Sequence, residues 1–153
     1  MKTSTLVLAP LLVAMAVLVL SFALPWATFE GEGSTTSAPG FRLDGGLWIA
    51  LLIVPLAVAT YLVSNSSPRW ALLAAPTAIL CFAVRWRTLA DIADATGYVG
   101  VEGSLGGVSN PTLGAANLDG SFVVESIASG LGLTLLFVAM VLIIGAILAA
   151  IRA

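Results

Sequence analysis

The 153-residue chain carries eight acidic and six basic residues, a net charge of −2, and is 59% apolar and only 9% charged. A soluble domain is about 25% charged, and a fold of this length has too little interior to hide so much apolar surface from water. With a mean hydropathy of +1.09, the chain calls for lipid as its main solvent. The absence of His and the single cysteine, Cys81, remove disulfide frameworks, Cys/His zinc sites and histidine acid–base catalysis.

The first charge-free window, from Thr3 to Phe29, exceeds the roughly 20 apolar residues a spanning helix needs and predicts a membrane helix over 5–25. Lys2 and the triplet Ser21-Phe22-Ala23 also outline a secretory signal peptide. The length of the apolar run, and the Leu24-Pro25 that would open a mature chain, favour a retained helix. Residues 26–46 then form a loop rich in Gly, Ser and Thr. Within it Thr28-Phe29-Glu30 and Phe41-Arg42-Leu43 alternate apolar and polar residues, which fits a short β-hairpin and an irregular loop equally.

The window between Asp44 and Arg69 predicts a second helix over 47–64, followed by a minimal loop, 65–69. Helices two and three therefore make a tight antiparallel hairpin. The fifteen residues from Trp70 to Val84 reach only about 22 Å as a helix, so the third helix must run on through Arg85 and Trp86. Arg87 and Asp91 stand four apart, a candidate helical ion pair, and Gly97 suits the residue after a helix. The third helix is expected over 70–95, extending beyond the membrane. Residues 96–120 hold too much glycine for a long helix or strand. They form a loop of a length that usually signals function or a partner. Asp119 or Ser121 is placed to cap the fourth and cleanest helix, 122–151.

The expected fold is thus an all-α membrane protein, one integral domain over 1–153. It is a four-transmembrane-helix antiparallel bundle with a small irregular or β-containing outer region. Orientation follows from positive charge in short loops. With the N-terminus inside, the inner face carries Lys2, Arg69 and Arg152 and no acid, while Glu30, Glu32, Asp44, Asp91, Asp94, Glu102, Asp119 and Glu125 all fall outside with Arg42, Arg85 and Arg87. Both termini are read as cytoplasmic and the membrane as the plasma membrane. The Asn65-Ser66-Ser67 sequon then lies inside, out of reach of glycosylation.

Small residues four apart mark helix-packing faces: Ala71/Ala75 and Ala74/Ala78 on helix three, and Ser126/Gly130, Ala128/Gly132, Gly145/Ala149 and Ala146/Ala150 on helix four. These faces serve packing within the bundle or contact with a partner's helix. Pro10, Pro55 and Pro76 are expected to kink spans one to three. No acid lies at depth and few polar groups line the spans, which speaks against ion pumping or proton-coupled transport by a lone chain. The outer acids have no metal-ligand or acid/base spacing, and Gly100, Gly103, Gly106 and Gly107 lack the strand and Lys of a phosphate loop. No catalytic residue, cofactor, metal or nucleic-acid partner is expected, and Cys81 is read as inert packing. Trp26, Trp48 and Trp86 fall at outer helix ends and Trp70 at an inner one. There an indole anchors at the membrane interface with its ring in the apolar zone and its N–H wet.

Two resemblances rest on these residues. Trp26 followed by Gly46-Leu47-Trp48 resembles the first extracellular segment of claudin-like tetraspan proteins, although the cysteine pair that follows in that family has no counterpart here and Gly-Leu-Trp opens helix two directly. Over most of its length the chain also looks like small prokaryotic four-helix membrane proteins of the Trp-associated type, whose first helix ends in Leu-Pro-Trp as at 24–26 here. That likeness implies no particular activity. The function expected is that of a non-enzymatic accessory or structural subunit whose partners are the lipid bilayer and other membrane proteins. A claudin-like self-associating adhesion or barrier protein is the alternative, and a small transporter or lipid-handling protein a further one.

Overall fold

The computed structural model describes residues 3–31, 34–40, 45–98 and 126–152. They form α1 (Thr3–Ala23), β1 (Pro25–Gly31), β2 (Ser34–Pro39), α2 (Gly45–Asn65), a 3-10 helix η1 (Pro68–Ala74), α3 (Ala75–Tyr98), β3 (Ser126–Ser129) and α4 (Leu131–Arg152). The described residues are mostly helical, with four long helices and one small sheet. Three segments, Thr5–Ala23, Pro68–Ile92 and Leu131–Arg152, are long and apolar enough to cross a membrane, and Leu51–Asn65 is a shorter apolar helix within α2.

Helix ends follow local chemistry. Pro25 disfavours helical backbone at Leu24, so α1 stops at Ala23 and the chain turns straight into β1. Ser67 caps η1, its side chain accepting from the Arg69 N–H at 3.4 Å, with Pro68 in the first turn. The Ala75 N–H bonds the Leu72 carbonyl, an i→i−3 bond, where the 3-10 turn gives way to α-helix. Pro76 has no N–H to offer Leu72 and so permits the tighter turn to persist up to it. Pro76 therefore sits at a helix start, not in a mid-span kink. Seven 3-10 residues rise about 14 Å where α-helix would give about 10 Å, which lengthens the third segment beyond the sequence-based expectation. At its far end α3 passes through Gly97 and ends at Tyr98.

α1, α2 and α4 are apolar nearly all round, and α3 is so as far as Val84, yet each helix buries one face. In α1 that face is Val7, Leu11, Ala14, Leu18 and Phe22; in α2 it is Leu52, Leu56, Ala59 and Val63. Ala71, Ala74, Ala78, Cys81 and Val84 supply η1 and α3, and Leu133, Leu136, Ala139, Ile143, Ala146 and Ala150 supply α4. The alternating steps of three and four residues give a narrow seam on each helix. Along these seams α1 packs on α4 and α2, α2 on η1 and α3, and α3 on α4. Among the hydrogen bonds that cross between helices, Ser21 Oγ donates to the Gly132 carbonyl at 2.7 Å and Thr77 Oγ1 to the Leu52 carbonyl at 2.9 Å. Thr77→Val is expected to cost only about 0.6 kcal/mol, the mean for a polar contact between membrane helices, because the Leu52 carbonyl stays in its own helix ladder. A small downward shift of the midpoint in a detergent-unfolding titration measures it.

The sheet is antiparallel, in the order β2-β1-β3. It sits at the end of the helices where α1 stops and α4 begins. Two sequence-based boundaries change here. The fourth helix was expected from 122, but Ser126–Ser129 is strand, paired from Ala27↔Ser129 to Glu30↔Ser126, and α4 starts at Leu131. The hairpin partner of β1 is Ser34–Pro39, with Gly31 opposite Ser34, rather than Phe41-Arg42-Leu43, which lies outside the described residues together with most of the 96–120 loop, Asp119 and Ser121.

Candidate functional site

The most elaborated part of the molecule is the corner Leu24-Pro25-Trp26. The register of β1 against β2 slips between Pro25↔Pro39 and Ala27↔Ala38, leaving Trp26 as an extra residue in the strand. Such a bulge breaks the in–out alternation of a strand, and Trp26, Ala27 and Phe29 are accordingly all fully buried. The indole of Trp26 lies 4.9 Å from the Phe22 ring, centroid to centroid, at 44°. Its Nε1 donates to the Ser21 carbonyl at 2.8 Å, and Ser21 in turn donates to Gly132. Backbone bonds close the corner: Gly130 N–H to the Trp26 carbonyl at 2.8 Å and Gly40 N–H to the Leu24 carbonyl at 3.4 Å.

Three glycines make room for it. A Cβ at Gly40 would meet the indole at 2.3 Å, one at Gly130 the Pro25 carbonyl at 2.1 Å, and one at Gly132 both Trp26 Cδ1 at 2.4 Å and the Ser21 carbonyl at 2.6 Å. The fold thus places Trp26 differently from an interface anchor with a wet N–H. It is 0% exposed and its N–H is bonded inside the protein. A small polar Ser21 and the crowded glycines draw the ring inward, and neither leaves a mark on a hydropathy profile. Trp70 and Trp86, at 44% and 67% exposed, face outward, and Trp86 stacks on Phe82 at 6.2 Å. Trp48 is in the first turn of α2, its side chain outside the described residues.

The small-residue pairs divide. Ala71, Ala74, Ala78, Gly132, Ala146 and Ala150 are buried between helices, and Ala75 is half-buried. Ser126 and Ala128 belong to β3, and Gly130 precedes α4, so these three are not helix-packing residues. Hydropathy does not separate a short apolar strand from the first turns of a helix. Gly145 is exposed with nothing within 4 Å of its Cβ position, so it packs against none of the described residues, while Ala149 is half-buried.

Arg85 sits on the flank where α3 meets α4. Its guanidinium carbon is 5.1 Å from the centroid of the Phe137 ring, a cation–π contact worth about 0.5–2 kcal/mol depending on desolvation. Its Nε is buried with no hydrogen-bond partner among the described residues. The charge pattern puts Arg85 on the outer side of the third helix, and nothing in the sequence marks its aromatic partner on another helix. Arg87 is exposed and Asp91 half-buried one turn further along α3. Cys81 is buried within the helix seam. No group of three His, Cys, Asp or Glu side chains comes together among the described residues. At the opposite end of the helices Arg69, Leu72, Ala150 and Ile151 line an open groove of about 300 Å³. Comparisons with protein-family models, curated proteins and solved structures return no match.

Proposed function

We propose that the chain is a non-enzymatic multi-pass membrane protein. Its four helices cross the plasma membrane as an antiparallel bundle, with both termini cytoplasmic and the sheet outside. There it serves as an accessory subunit packed against other membrane proteins. The observation that carries this reading is the outward face of the helices. Leu12 and Val19 on α1, Val54 and Tyr61 on α2, Ile79 and Phe82 on α3, and Val141 and Leu148 on α4 are all exposed, so the surface is as apolar as the core. Monomeric soluble proteins rarely expose continuous apolar area on this scale. Within lipid, helices associate through close packing of small residues, and Gly145, open on α4, offers such a contact to a neighbouring chain. Extraction into native nanodiscs followed by mass spectrometry is expected to recover a second membrane protein in fixed proportion. Recovery of this chain alone, as a monomer, overturns the subunit reading.

Claudin-like self-association is the second reading, favoured by the sheet that follows α1 and by Trp26 within it. It predicts lateral homo-oligomers in the same preparation. Trp26→Ala is a poor probe of that idea because the ring is buried inside its own chain; Trp48→Ala weakening the oligomer is the informative result.

A further inference from the structure

The end of the helices away from the sheet carries its own chemistry. The groove there lies between the first turns of η1 and the last turn of α4. Ala150 is buried and forms its floor; Leu72 and Ile151, 51% and 66% exposed, form apolar walls. Arg69 lines it and is exposed, and Arg152, the residue after Ile151 in the last turn of α4, is exposed at the same end of the helices without lining the groove. The carboxylates whose side chains are described, Glu30 and Asp91, belong to β1 and to the far half of α3, so none of them neutralises this pair. At about 300 Å³ the space is at the lower limit of a ligand-sized cleft, roughly 300–1,000 Å³. It takes a headgroup with its glycerol, leaving longer chains to lie along the exposed apolar helix surface.

We propose that this groove holds the phosphate headgroup of an anionic glycerophospholipid, with the phosphate on Arg69, the charge of Arg152 adding to the positive potential at that end of the helices, and the first acyl methylenes on Leu72 and Ile151. A guanidinium matches a phosphate with two parallel N–H donors, and basic pockets between membrane helices select anionic headgroups for that reason. The apolar walls distinguish this arrangement from a free-phosphate site, because inorganic phosphate gains nothing from Leu72 and Ile151. The proposal rests on the reading of the helices as membrane spans.

The test is reconstitution of the full chain into nanodiscs of mixed phosphatidylcholine and phosphatidylglycerol, followed by mild-detergent release and native mass spectrometry of the retained lipid. Each cation near the headgroup layer favours anionic lipid about fivefold. Phosphatidylglycerol is therefore expected to be enriched about thirtyfold over phosphatidylcholine in the wild type and about fivefold in Arg69→Gln. Ile151→Trp, which fills the groove but keeps both cations, is expected to lose the retained lipid altogether, and Arg87→Gln, at the other end, to change nothing. Equal retention of the two lipids by the wild type, or equal losses in Arg69→Gln and Arg87→Gln, overturns the proposal. So does displacement of the lipid by millimolar inorganic phosphate. Failure to enter nanodiscs at all overturns the span reading and the lipid site with it, whereas entry without selectivity overturns the lipid site alone.

Discussion

Trp26→Ala is expected to destabilise the protein by about 3–5 kcal/mol, the range for emptying a fully buried aromatic site. The ring is enclosed by Phe22, Gly40 and Gly132, and because these neighbours belong to three different parts of the fold they cannot all collapse into the space together. Its N–H bond to Ser21 is the smaller part of the effect. Trp26→Phe, which keeps most of the ring and loses the donor, is expected to cost about 1–2 kcal/mol, combining a hydrogen bond with a modest void. Trp86→Ala at an exposed position is expected to stay within about 0.5 kcal/mol. Reversible unfolding in mixed micelles by increasing SDS, followed by tryptophan fluorescence and circular dichroism, orders the three. Equal effects of Trp26→Ala and Trp86→Ala would show that the corner is not a packing centre.

The second large effect concerns two glycines of the same helix. Gly132→Ala places a methyl 2.4 Å from Trp26 Cδ1 and 2.6 and 2.8 Å from the carbonyl oxygens of Ser21 and Leu24. Two of those three neighbours are backbone, so relief requires α1 and α4 to separate. An overpacked site costs about 1–3 kcal/mol, and here the upper part of that range is expected, together with loss of the Ser21–Gly132 bond. Gly145→Ala makes no contact within 4 Å and removes a flexible residue from a helix interior, so it is expected to be neutral or stabilising by up to about 1 kcal/mol in the isolated chain. The same chemical change thus has opposite signs thirteen positions apart on one helix. The SDS-unfolding midpoint reads both. A Gly145→Ala variant that keeps its own stability yet loses its partner in the nanodisc preparation would locate the subunit contact on that face.

Much of this architecture is written in local composition. The positions of the four helices follow from stretches free of charge, because in lipid a backbone must satisfy its own hydrogen bonds and a helix does so within one segment. What composition conceals is pairing between distant segments. Ser126-Ile127-Ala128-Ser129 continues the apolar character of α4, and only the ladder of β1, far away in the chain, makes it a strand. The same holds for Trp26. A Trp at the end of an apolar run reads identically whether its N–H meets water or the Ser21 carbonyl, and the bulge that turns it inward is a property of strand register. At Arg85 the charge was visible, but the ring of Phe137 beneath it comes from a helix that follows a long intervening segment. The stretched geometry of η1 depends on the coincidence of Ser67, Pro68 and Pro76, a pattern of caps and missing donors that hydropathy ignores.

The strand β3 also imposes an order on biosynthesis. Ser21 and Gly132 are 111 residues apart, and β1 meets β3 across a similar stretch. While the chain is being made, α1, α2, η1 and α3 are available to the membrane well before α4. Until α4 emerges, the buried face of α1 from Val7 to Phe22 has, among the described residues, α2 and a smaller contact with η1 to pack on, and Trp26 lacks both Gly132 and the Gly130 hydrogen bond. Contacts of such long sequence separation form late because their loop closure is costly. The nascent chain therefore passes through a three-helix stage with an open seam, and the corner around Trp26 works as a latch that only the last helix can close.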